Sequence, residues 1–245
     1  MRKLMAATIL ATTAGLLMST TSFAQSRDFD LVGFDRLDIA TGLDARVTLG
    51  ESFSVSAQSR SQDALDNLEL KVVDGVLQAR FEQSFLDFII SGGLVGMLLS
   101  SGNAVTVEIT LPALAGVSAS SGADVDLIAI RADQLALDAS SGADIRAENA
   151  ALGSVTIKAS SGADVEISGT TETLTADASS GADIDADDLR ASTVTAAASS
   201  GAGISVHATA GIRAKASSGG DIDVSGHPGT RDIDESSGGS IDLDD

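Results

Sequence analysis

Ala119-Ser120-Ser121-Gly122-Ala123-Asp124-Val125 is the stretch that decides the fold, because its Ser-Ser-Gly centre returns at 140–142, 160–162, 179–181, 199–201, 217–219 and 236–238. Successive copies lie 20, 20, 19, 20, 18 and 19 residues apart. A period near 20 marks a stacked repeat, in which one unit cannot bury its apolar face alone and does so on its neighbours.

Apolar or small residues alternate on the approach to each motif: Leu135, Leu137, Ala139; Val155, Ile157, Ala159; Leu174, Ala176, Ala178; Val194, Ala196, Ala198; Ile212, Ala214, Ala216. A period of two is one inward face of a strand. Beyond the motif, Val125, Ile145, Val165, Ile184, Ile204, Ile222 and Ile241 form a second column, mostly β-branched and flanked by polar residues, as an inward position of a second strand requires. Ser-Ser-Gly between them reads as a corner. Glycine tolerates the left-handed backbone that a sharp turn needs, and serine hydroxyls bond neighbouring backbone groups. The predicted fold is all-β: a right-handed parallel β-helix of about 19–20 residues per rung, each rung about 4.8 Å from the next. A leucine-rich repeat has a similar period, but its spaced leucines and asparagine are missing.

Composition agrees. Trp, Tyr and Cys are absent and all seven Phe stand at or before residue 88, so the later core consists of aliphatic and very small side chains. One outward column reads Asp138, Lys158, Asp177, Ala197, Lys215, Asp234, placing opposite charges on adjacent rungs for several steps. In the last copy Glu235 takes an inward alanine position, and an acidic final coil would discourage edge-to-edge association.

Ahead of the repeats, residues 1–24 read as a secretory signal peptide. Arg2 and Lys3 open it, an apolar run follows from Ala6 to Met18, and Ser22-Phe23-Ala24 provides a small-x-small cleavage site. The apolar run is too short for a membrane span, and no cysteine follows it to carry a lipid. Residues 25–112 form an N-terminal β-rich part and 113–245 the β-helix repeat region. In the former, Leu37 with Ile39, Val47 with Leu49, and Phe53, Val55 and Ala57 predict strands, with Gly42 and Gly50 as turns. Ser61 to Leu68 is the one short helical piece. Leu70 to Phe81 around Asp74-Gly75 is a hairpin, and Val105 to Leu111 is a strand stopped by Pro112. Residues 85–99 are strongly apolar but too short to span a bilayer. They read as an inserted loop or short helix packed over the core, or as a membrane- or partner-binding patch.

Loss of Arg2 and Lys3 with the leader leaves 13 basic against 35 acidic side chains, a formal charge of −22. Such a surface repels nucleic acid, and no transmembrane span is expected in the mature chain.

Three features together resemble the head GIN domain family, a domain of unknown function described as an autotransporter adhesin. They are the strand opening Phe34-Asp35-Arg36-Leu37, the Val72-to-Phe81 hairpin leading to Val105-Thr106-Val107-Glu108-Ile109-Thr110-Leu111-Pro112, and the Ser-Gly-Ala-Asp-Val repeats. The resemblance covers nearly all of residues 29–245. It implies an exported protein of the bacterial cell envelope, in the periplasm or on the outer surface of a Gram-negative-type cell, with a β-helical fold and no catalytic residues to carry over. The repeats run to the last residue given, so the membrane barrel of a true autotransporter is not expected here.

The candidate metal ligands are Asp124, Asp144, Asp164, Asp183 and Asp221. Carboxylates stacked one rung apart could hold calcium, which takes several oxygen ligands; Gly203 and Ser240 interrupt the column. A carbohydrate-active enzyme, lyase or hydrolase, would need paired acids at a cleft. Against it, the repeats offer no aromatic platform for sugars, and Arg131, Arg146, Arg190 and Arg213 are scattered. His207 and His227 are the only histidines and fall in or near turns of different rungs, which suits surface residues. Ice binding would want a flat threonine or serine ladder, whereas the repeated element here is a corner. The expected function is a non-catalytic exported envelope protein, a structural or adhesion-type binding module for a protein or glycan partner. A carbohydrate-active enzyme and a calcium-binding surface module are the alternatives. The most promising places for a site are those where the repeat fails, at 85–99 and at Gly203.

Overall fold

A computed structural model describes residues 25–81 and 105–244. The leader and the apolar stretch 85–99 lie outside these residues. Strands β1 (Gln25–Phe29), β2 (Arg36–Ala40), β3 (Asp44–Leu49) and β4 (Ser54–Ser59) lead to a single-turn helix α1 (Gln62–Asp66). The hairpin β5 (Leu68–Val73) and β6 (Val76–Phe81) follows, then β7 (Thr106–Leu111), β8 (Gly116–Ser120) and β9 (Asp124–Ile128). Five strands carry most of the repeats: β10 (Arg131–Ser140), β11 (Asp144–Ser160), β12 (Asp164–Ser179), β13 (Asp183–Ser199) and β14 (Gly203–Ser217). The chain closes with β15 (Asp221–Ser225), β16 (Thr230–Ser236) and β17 (Ser240–Leu243).

From β8 onward every pairing is parallel and joins equivalent residues of successive repeats, for example Val155 with Leu174, Ile157 with Ala176 and Ser160 with Ser179. The result is a β-solenoid of about six turns. The regular coils are three-sided. In β11 the in-out alternation breaks at Glu148-Asn149, at Gly153-Ser154 and at Ser160-Ser161-Gly162, where adjacent residues all leave the interior. Between those corners Ala143, Ile145, Ala147, Ala150, Leu152, Val155, Ile157 and Ala159 are buried. Alanine at half of these positions keeps the coil narrow, since a larger side chain would meet one from the facing wall.

The Ser-Ser-Gly corner is a pair of left-handed residues. Ser121, Ser141, Ser161 and Ser180 have φ of 56–58°, and the glycine after each has φ of 68–71°. The corner is held along the stack, because the amides of Gly122, Gly142, Gly162 and Gly181 donate to the serine carbonyls of the next coil at 3.2–3.3 Å. One further corner belongs to the same line. Thr41 and Gly42, at φ 65° and 67°, precede Leu43-Asp44-Ala45, and Gly42 donates to Ser121 at 3.0 Å. Strands β2 and β3 stack in register directly on β8 and β9, with Asp44 beside Asp124. Gly42 is therefore a first copy of the corner, hidden by threonine in place of serine and by a long excursion before the next coil.

That excursion closes the N-terminal end. Strands β6 and β7 run parallel to β2 and β3 on their outer side, and β5, β4 and β1 then add antiparallel, ending the parallel stack. The bulky core lies here, with Phe34, Leu37, Leu65, Leu77 and Phe81 buried and the rings of Phe34 and Phe53 5.0 Å apart. Helix α1 is capped by Ser61, whose hydroxyl accepts from the Ala64 amide at 3.3 Å. At the other end β16 is exposed throughout because no coil covers it. Glu235, on the line of inward alanines, folds over to accept the Ile241 amide at 2.7 Å, so a free backbone donor of the last coil is satisfied internally.

Candidate functional site

Outward side chains of a solenoid form columns, so any site on this chain is built from residues about 20 apart. On the face after the Ser-Ser-Gly corner, Asp44, Asp124, Asp144, Asp164 and Asp183 stack on successive coils. Four of these were expected from the repeat, whereas Asp44 joins only through the hidden first coil. Asp221 stands one coil beyond the interruption at Gly203. There the Asp183 carboxylate leans into the gap and accepts the Gly203 amide at 3.1 Å. Burial, and then the neighbouring carboxylates Asp144 and Asp183, push the Asp164 pKa up. Burial likewise raises Asp124, followed by its hydrogen bond with Asp144 and the charges of Asp144 and Asp44. Among the described residues no three His, Asp or Glu side chains converge as a metal centre. Stacked carboxylates point outward in parallel, while a calcium site needs six or more oxygens turned toward one point.

The next column on this face alternates in sign: Glu108, Arg46, Asp126, Arg146, Glu166. Arg46 lies 3.2 Å from Glu108 and 3.9 Å from Asp126, and Arg146 lies 3.8 Å from Glu166 and 3.9 Å from Asp144. Arg146 also pulls back on the raised Asp124 and Asp164. Exposed pairs such as these contribute about 0.2–1 kcal/mol each. They fix register, while the face as a whole stays acidic because Asp44, Asp124, Asp144, Asp164 and Asp183 stand beside them.

The face before the corner carries a groove of about 530 Å³. The column Asp138, Lys158, Asp177, Ala197, Lys215 forms one side and Ser160, Ser179, Ser199 and Ser217 the other, with the alanines Ala159, Ala178 and Ala198 between them. These alanines are buried, so little more than backbone separates the two lines. The groove opens to solvent along several coils, which suits an extended polar ligand better than a compact apolar one.

Where the repeat shortens to 18 residues, one corner is lost. Ala186 pairs with Val206 and Arg190 with His207, so Asp187, Asp188 and Leu189 have no partners on the shorter coil. The overhang brings Asp187 to Ser225, two coils on, and the Ser225 hydroxyl donates to Asp187 Oδ1. His207 Nδ1 lies 2.8 Å from the same hydroxyl oxygen. Since the serine proton goes to the carboxylate, the imidazole is the donor in the second bond. A nucleophilic triad has its histidine between serine and acid; here serine is in the middle. The chain Asp187–Ser225–His207 pins three coils together and departs from the order of a triad. Sequence reasoning placed His207 near a turn but missed both partners, and the one signal available was the interval of 18 between Ser199 and Ser217. His227 is exposed in the connection after β15.

The family described as "putative auto-transporter adhesin, head GIN domain" matches residues 33–228. Among solved structures, a putative adhesin from Bacteroides fragilis superposes with a TM-score of 0.78 at 18% identity, covering 91% of this chain and 97% of the other. A putative lipid binding protein from Parabacteroides distasonis gives a TM-score of 0.64 at 16% identity, with coverages of 91% and 97%. A putative adhesin from Parabacteroides merdae gives 0.64 at 14% identity, with 91% and 96%. No curated protein sequence matches the chain.

Proposed function

The chain belongs to the head GIN domain family of auto-transporter-type adhesins, and from that premise we propose that it is an exported, non-catalytic binding module of the cell envelope. The observation that carries this reading is the groove beside the Ser-Ser-Gly corner, about 530 Å³ and lined by charged and hydroxyl side chains in columns. It offers repeated hydrogen-bonding groups along a line, which is what an extended partner needs. No described helix is long and apolar enough to cross a membrane. Membrane proximity would then come from a partner or from residues 85–99, whose neighbours in sequence, β6 and β7, lie at the N-terminal end of the stack.

The test is saturable binding of residues 25–245 to intact bacterial cells and to an array of envelope glycans, beside the same chain lacking 85–99. Binding by both forms assigns the activity to the solenoid. Loss on deletion moves it to the apolar stretch, and no binding by either form overturns the proposal. Recovery of the unprocessed protein in the cytoplasmic fraction would overturn export.

A further inference from the structure

Alternation of charge along the groove has a phase slip, and the slip falls on one residue. Lys158 pairs in register with Asp177, Asp177 with Ala197, Ala197 with Lys215, and Lys215 with Asp234. Up to Asp177 the signs alternate, and from Lys215 they alternate again, but in the opposite phase. A cation at 197 would suit Asp177 and oppose Lys215, and an anion would do the reverse, so no single charged side chain serves both neighbours. Alanine stands there and leaves the groove open. Lys215 pairs on its far side with Asp234 at 3.4 Å, using one of its three donors. Asp177 makes no ion pair within 4.0 Å among the described residues. Two coils separate these charges, a distance of about 10 Å, and the hydroxyl-bearing Ser179, Ser199 and Ser217 line the groove beside them.

We infer that the groove takes a short zwitterionic peptide, with its ammonium group against Asp177, its carboxylate against Lys215 and its backbone crossing Ala197 beside Ser199. The ligand supplies in one molecule the two opposite charges that position 197 cannot. Three extended residues span about 10 Å, which matches the separation. Both ion pairs are exposed and together supply at most about 2 kcal/mol, so affinity is weak, on the order of tens of millimolar. This inference rests on the groove being the binding surface, as proposed above.

Triglycine, N-acetyltriglycine and triglycinamide are the probes, titrated into isotope-labelled residues 25–245 with amide shifts as the readout. Triglycine is expected to shift Ala197, Ser199 and Lys215 saturably, and blocking either terminus to weaken binding about fivefold, one exposed ion pair's worth. In Asp177→Asn the N-acetyl form should bind as well as triglycine, and in Lys215→Gln the amide form should. Ala197→Leu fills the groove and should abolish all three responses, with circular dichroism confirming that it is folded. Absence of a triglycine response, equal responses to the three probes, or discrimination that survives both charge substitutions overturns the inference. Cell or glycan binding without a triglycine response would sink the ligand class alone. A triglycine response without any cell or glycan binding would sink the module reading instead.

Discussion

At Ser225 one hydroxyl joins three coils, and the cost of losing it is measurable. Ser225→Ala removes the bonds to Asp187 and His207 and should destabilise the protein by about 1–2 kcal/mol in urea unfolding. A double-mutant cycle with Asp187→Asn should show coupling of about 0.5 kcal/mol or more, whereas independent sites would add. The acidic column makes a prediction of pH dependence. Burial first, and then neighbouring acids, raise Asp44, Asp124 and Asp164 in that column and Asp223 in the column beside it. A carboxyl with a raised folded pKa binds its proton more tightly in the folded chain. The stability it contributes is complete below the ordinary value of 3.8 and is lost as pH rises through the raised value. Melting temperature should therefore climb as pH is lowered from neutral toward 4, and Asp124→Asn should raise it at neutral pH while flattening the climb. A melting temperature that falls steadily over that range would contradict this picture of the column. The Asp124 column was legible in the repeat itself. The Asp187–Ser225–His207 chain was not, because its members are 18 and 38 residues apart and meet only through a register shift.

Among elements, glycines separate those set by backbone angle from those set by contact. Gly162 has φ of 68° with nothing within 4 Å of a built Cβ, so Gly162→Ala should cost only the left-handed penalty, about 1 kcal/mol. Gly169 has φ of 128°, and its Cβ would fall 2.0 Å from the Ala150 carbonyl oxygen. Gly169→Ala must move one coil against the next and should cost about 3 kcal/mol or more. Thermal or urea unfolding of the pair checks the contrast, and equal costs would refute it. Strands β2 to β4, the hairpin around Asp74-Gly75 and β7 were readable from alternation and turn residues. Their neighbours were not. Pairing of β2 with β8 and of β3 with β9 joins strands roughly 80 residues apart, and alternation within a strand states which face is inward without saying which strand lies alongside.

For the whole molecule, charge is the weak point of an otherwise regular stack. The formal net charge is −20 for the full sequence, and like carboxylates are repeated at the spacing of one coil. Raising NaCl from about 0.05 to about 0.5 M brings the Debye length below the separation of alternate coils and should raise the melting temperature. If salt lowers it, the ion-pair ladders through Arg46 and Arg146 outweigh the repulsion.

By itself the sequence determined the solenoid, its coil length and its corner. A period near 20 with two inward columns admits one economical packing, in which every coil repeats the contacts of the last. Tertiary structure alone decided the rest: that the first coil begins at Thr41-Gly42, that antiparallel strands close the N-terminal end, and that a shortened coil draws Asp187 over His207 to Ser225. It also showed that Asp177 and Lys215 face an open groove across Ala197. The physical reason is the same in each case. Repetition encodes how a coil meets an identical coil, while a site or an end arises where unlike coils meet, and their register depends on how many residues each corner consumes.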